Sequence, residues 1–186
     1  MFFFSETENT NINLKPRSVE HAYLAILNND LKTAQAVFEA IDSPRAKWGK
    51  ALTDILIGYI EKYPSYFDIR NFLEIDLDFL IKNEKLDYIE QFLGSLEFLS
   101  NINQETYKYV ARVMYENKFY DAAFNYMEKS KKLFYQDPEL HFMFAKYYTD
   151  NKLYDKALQH INECLNIVPG YFPALELKKI ISLYLV

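Results

Sequence analysis

Eight residues, Asn117-Lys118-Phe119-Tyr120-Asp121-Ala122-Ala123-Phe124, return thirty-four places later as Asn151-Lys152-Leu153-Tyr154-Asp155-Lys156-Ala157-Leu158. A fixed period of that length constrains the fold more than any other feature of the chain. It describes a small helical unit that cannot bury its apolar face alone and must stack on copies of itself. A fainter echo places Asn83 and Asp87 one period before Asn117 and Asp121, although Ile89 stands where the later copies carry alanine.

Apolar residues recur at spacings of three and four throughout, so helices are expected everywhere and strands nowhere. Ser18 reads as an N-cap ahead of Val19, Ala22, Tyr23, Ile26 and Leu27, and Asn28-Asn29-Asp30 breaks that pattern. A second helix follows through Leu31, Ala34, Val37, Phe38 and Ile41, ending before Asp42-Ser43-Pro44. The third is expected over about 44–62, with Trp48, Leu52, Ile55, Leu56 and Tyr59 on its inner stripe. Further helices are expected over about 67–81, 86–99, 104–116, 119–134, 138–149 and 153–167, with a last one from Phe172 onward. That gives about ten helices joined by turns of two to five residues.

Only 4 glycines and 6 prolines stand against 50% apolar residues, which suits a folded, helix-rich chain. With 186 residues the expectation is one helical domain over 18–186, preceded by a flexible lead over 1–17 that either frays or packs Phe2, Phe3 and Phe4 on the first helices. A net charge of −5 argues against a nucleic-acid partner. No run approaches the apolar length of a membrane span, the start lacks a basic lead into a long apolar run, and one cysteine excludes a disulfide framework; a soluble cytoplasmic protein is the expectation.

Windows 104–137 and 138–171 resemble tetratricopeptide repeats. The slots of the second hold His141, Phe144-Ala145, Tyr148, Tyr154, Ala157, Ile161, Cys164 and Pro169. Those of the first hold Tyr107, Val110-Ala111, Met114, Tyr120, Ala123, Met127, Ser130 and Tyr135. Window 70–103 resembles a degenerate repeat, the pair containing Ala22, Ala34 and Phe38 resembles another, and 172–186 resembles a closing helix with an unusually thin polar face. The resemblance implies an all-α, right-handed superhelix of stacked antiparallel helix pairs. Small residues at Ala111, Ala123, Ala145 and Ala157 would let paired helices approach.

It also implies a non-catalytic interaction module, in which the first helix of each pair lines a concave groove for a protein or peptide segment. Carried onto this chain, the groove positions are Glu105, Lys108, Arg112 and Tyr115, then Glu139, Phe142, Lys146 and Thr149, preceded by Asn71, Glu74, Asp78 and Ile81. Lys108, Arg112 and Lys146 would form a basic path between Tyr115 and Phe142, suited to an acidic or C-terminal peptide segment. The family's chaperone-tail clamp is not supported, because Glu74, Asp78 and Met143 occupy slots that need Lys or Asn. Alternative readings are a structural subunit that homodimerises or docks through its apolar C-terminal helix, and a chaperone-like binder of secretion or assembly substrates.

No catalytic, metal or cofactor site is expected. His21, His141 and His160 lie on different helices, Cys164 occupies a small packing slot, and no glycine-rich phosphate loop or metal-ligand spacing is present. Glu74, Asp76 and Asp78, spaced by two, are expected on a solvated helix face.

Overall fold

The computed structural model describes residues 18–60 and 62–184; the 1–17 lead with its phenylalanines, and Leu185 and Val186, lie outside the described residues. The first helices are α1 (Val19–Leu27), α2 (Leu31–Glu39) and α3 (Pro44–Ile57). α4 (Ile69–Phe72), a π-helical stretch (Leu73–Leu77) and α5 (Asp78–Lys82) then run on as one rod. α6 (Leu86–Gly94) and α7 (Leu96–Ile102) follow, then the pairs α8 (Thr106–Glu116) with α9 (Tyr120–Leu133) and α10 (Pro138–Asp150) with α11 (Tyr154–Ile167), and finally α12 (Phe172–Ser182). The described residues contain no strand, and no helix among them is long and apolar enough to cross a membrane.

Local chemistry sets the helix starts. The Ser18 hydroxyl accepts from the His21 amide and Ser43 from Ala46, while the Asp137 carboxylate accepts from the amides of Glu139 and Leu140. Pro44 and Pro138 occupy first turns, where their missing N–H costs no bond.

The ends of α1, α5, α8 and α10 share one device. Asn29, Glu84, Lys118 and Lys152 adopt left-handed backbone with φ of 62°, 54°, 67° and 59°. At each end the left-handed residue's amide bonds a carbonyl three residues back, and the next amide reaches one five back: Lys118 to Tyr115 and Phe119 to Met114, Lys152 to Thr149 and Leu153 to Tyr148. These are Schellman closures, which satisfy the last carbonyls and turn the chain back on itself. α3 closes in the same way on Gly58, so it stops short of the expected 62, and Tyr59 is exposed rather than part of an inner stripe. α2 likewise ends at Glu39, before Ile41.

The small slots carry the stacking. Ala22, Ala34, Ala111, Ala123, Ala145 and Ala157 are all fully buried, with Phe38, Phe72, Phe92 and Phe144 filling the spaces beside them. One apolar cluster links α1 through α9, and smaller ones join α8, α9 and α10, then α10, α11 and α12. The expected single helix over 86–99 is two helices. The chain breaks at Ser95, whose hydroxyl bonds the Phe92 carbonyl, and the corner keeps Phe92, Leu96 and Leu99 all buried.

Asp76 departs most from expectation. It is fully buried, receives the Tyr23 hydroxyl at 2.7 Å and pairs with Arg45 at 2.8 Å, and the Arg45 guanidinium covers the Tyr23 ring. Burial pushes the carboxyl above its ordinary value, with Arg45 and Tyr23 opposing. Asp76 recurs at spacings of three and four with Ile69, Phe72, Leu73, Leu77 and Leu80, all fully buried, so the solvated-face expectation fails for it.

Candidate functional site

The predicted groove residues stand on α8, α10 and the rod that holds Glu74 and Asp78, and the structure divides them into two sets. Lys108 belongs to the interior: it is 3% exposed, and its ammonium lies 2.5 Å from Asp137, 3.1 Å from Glu105 and 3.3 Å from Glu139. Burial works to lower its pKa and is overcome by Asp137, Glu105 and Glu139, which hold it above its ordinary value. Its charge is therefore spent inside the protein, and the basic path loses its first member.

Arg112 is half in this network. It bridges Glu74, at 2.5 Å, to Glu139, tying the π-helical rod to α8 and α10. Glu74 also receives Arg70, and Asp78 pairs with Lys82 and accepts from the Asn117 side-chain amide. Glu74 and Asp78 thus join one first helix to the next instead of standing open on the groove.

The second set stays open. Arg112, Tyr115, Phe142 and Lys146, joined by Glu116, Glu139, Met143 and Tyr171, line a recess of about 160 Å³ between α8, α10 and the start of α12. Tyr171 stands beside Phe142, ring centroids 5.6 Å apart, and Tyr115 forms the opposite wall with its hydroxyl donating to Asp150. Burial and then Asp150 push that hydroxyl's pKa above the ordinary tyrosine value, so it stays protonated. Lys146 is exposed, with its ammonium 4.9 Å from the Tyr115 ring centroid, and no carboxylate pairs with it among the described residues. Tyr171 was not among the predicted positions because it precedes its helix, whereas the groove rule reads only residues within first helices.

Sequence spacing also left the histidines apart, whereas His141 on α10 and His160 on α11 meet in the interior with their Nδ1 atoms 3.0 Å apart. His141 Nε2 bonds the Tyr135 carbonyl, and the His160 ring packs near-parallel against both Phe144 and Tyr148. Burial, then the paired ring and Lys131, hold His160 down to about 4, and burial lowers His141 as well. Cys164 is fully buried, and burial raises its thiol to about 11, which disfavours a nucleophilic thiolate.

No protein-family model matches the chain, and no curated protein is similar to it. Among solved structures, a chain of the APC/C hetero-tetramer Cut9–Hcn1 superposes over 90% of this chain with a TM-score of 0.51 and 16% identity. The overlap covers 36% of that chain, so the protein spans about a third of its length. A TPR repeat-containing protein from Cytophaga hutchinsonii gives a TM-score of 0.47 at 17% identity, covering 84% of this chain and 67% of that one. YrrB, a TPR protein with an unusual peptide-binding site, gives 0.44 at 16% identity, covering 87% and 90%. The repeat register, the helix pairs and the Cut9–Hcn1 superposition define one class of fold, the tetratricopeptide-type array of antiparallel helix pairs.

Proposed function

We propose that the chain is a non-catalytic interaction module that holds a segment of another protein in the recess between α8, α10 and α12. Lys146 carries this reading: it is the recess cation without a carboxylate partner among the described residues, and it stands beside three aromatic walls, Tyr115, Phe142 and Tyr171. Such a site fits a segment with one apolar side chain against Phe142 and Tyr171 and one carboxylate on the Lys146 ammonium. Arg112 stiffens the floor through Glu74 and Glu139, so little of the receptor needs ordering when the segment binds. Relative to the groove first expected, the site keeps Arg112, Tyr115, Phe142 and Lys146, gains Tyr171, and assigns Lys108, Glu74 and Asp78 to holding the helices together.

The test is to select peptides from a random displayed library on the immobilised protein, then measure the enriched peptides in solution against wild type and a Phe142→Ala, Lys146→Glu variant. At least tenfold weaker binding by the variant is expected. Equal affinity for both proteins would remove the recess as the site.

A further inference from the structure

The ionic side chains that line the recess divide by partner. Arg112 and Glu139 hold each other, with Glu74 on the one and Lys108 on the other. Glu116 and Lys146 are exposed, neither forms an ion pair among the described residues, and they do not pair with each other. The field of Glu116 reaches Lys82, whose ammonium is already held by Asp78 at 2.6 Å. Tyr115 and Glu116 follow Arg112 by three and four residues on α8, and Phe142 and Lys146 follow Glu139 by three and seven on α10, so each set shares one stripe of its helix. The contacts of Arg112 with Glu139 and of Tyr115 with Asp150 show that the two stripes run in the same direction. Glu116 and Lys146 therefore stand on facing walls, both beyond the Arg112–Glu139 pair.

The balance of charge decides what kind of segment this arrangement suits. Two cations and two acids line the recess, and Asp150 stands just beyond them on the Tyr115 hydroxyl. A segment carrying only acidic residues gains at Lys146 and is repelled by Glu116, Glu139 and Asp150, because like charges oppose at the same range over which unlike ones attract. A segment with one residue of each sign gains at both unpaired positions. Glu116 is also the last residue of α8, and the negative end of the helix dipole favours a cation there as well.

We infer that the segment held in the recess carries a basic as well as an acidic residue beside its apolar side chain, the acid on Lys146 and the base on Glu116. Glu116 is then the residue that separates such a mixed-charge segment from an acidic one. This rests on the recess being the binding site and adds to it a requirement that can fail by itself.

Peptides enriched from the displayed library on the wild-type full chain are measured in solution at low salt against wild type, the Phe142→Ala, Lys146→Glu variant and a Glu116→Lys variant. Lysine at the end of α8 suits the helix dipole, so Glu116→Lys is expected to fold, and circular dichroism checks that it does. Each peptide is also made with its basic residue replaced by glutamate. On wild type this replacement is expected to weaken binding about two- to fivefold, the size of one exposed ion pair. On Glu116→Lys the order is expected to reverse, the replaced peptide binding more tightly than the original. The inference is overturned, and the recess kept, by peptides that depend on Phe142 and Lys146 yet show no excess of basic residues over the library, or that bind wild type and Glu116→Lys equally. Peptides indifferent to the Phe142→Ala, Lys146→Glu variant overturn both.

Discussion

The His141–His160 contact joins two buried rings whose hydrogen bonds are complete while both are neutral: His141 Nε2–H donates to the Tyr135 carbonyl, which leaves its Nδ1 to accept from His160 Nδ1–H. A proton on His160 places a charge in the interior beside the His141 ring and Lys131, with Asp137 and Glu163 the acids near His141, and protonation of both rings sets two Nδ1–H groups against each other. An unfolded histidine titrates near 6.5, whereas folded His160 is held down to about 4, so the unfolded chain binds more protons between these values. Stability is accordingly complete above pH 6.5, falls as the pH drops toward about 4, and loses about 2–3 kcal/mol to this group. Urea midpoints measured across that range check the slope, and His160→Phe, which retains a ring to stack on Phe144 and Tyr148, is expected to flatten most of it. At this scale the sequence was half legible. The repeat register marks His141 as a packing residue in a bulky slot. Its partner lies nineteen positions on and on another helix, a distance at which no periodicity speaks.

At the scale of elements, α2 and α3 approach closely at Gly49. A Cβ added at Gly49 would lie inside contact distance of the Phe38 ring carbons, and Phe38 is itself fixed edge-on by Tyr23. Gly49→Ala is therefore expected to destabilise the protein by about 1–3 kcal/mol, because the crowded atoms are a buried ring with no free volume behind it. Chemical denaturation reads this directly, and Gly94→Ala, where a Cβ meets nothing within 4 Å, is the control expected to change little. Helix number, caps and pairing follow from apolar spacing, the 34-residue period and the Ser and Pro signals, so they were open to reading. The Ser95 corner and the π-helical stretch were not, since both depend on which side chains the neighbouring helices can bury. Asp76 is the case in point. Its place on the stripe with Phe72, Leu73, Leu77 and Leu80 is readable from spacing, whereas the partners that let a carboxylate stay inside, Tyr23 and Arg45, come from other helices and are not.

For the whole molecule, the two lysines first placed on one basic path separate fold from function. Lys108→Met leaves the buried Asp137 carboxylate without its ammonium and beside the partly exposed Glu105 and Glu139, and a loss of about 3–5 kcal/mol is expected from breaking such a pair on one side. Lys146→Met removes an exposed charge and is expected to leave stability within about 0.5 kcal/mol. Denaturation curves of the two variants distinguish these outcomes. The resemblance placed both residues on first helices and could not tell them apart, because depth within the groove is set by the α9–α10 turn, where Asp137 reaches back to Lys108. The left-handed turn residues Glu84, Lys118 and Lys152 also act at this scale, standing thirty-four residues apart with the same two closing bonds. None is glycine, so each holds a conformation that costs an L-residue about 1 kcal/mol. The backbone therefore carries identical joints at both ends of the segment between Lys118 and Lys152. A cut after the first and a splice after the second would bring matching torsions together, which makes this stretch an interchangeable part by which an array of this kind can be shortened or lengthened one pair at a time.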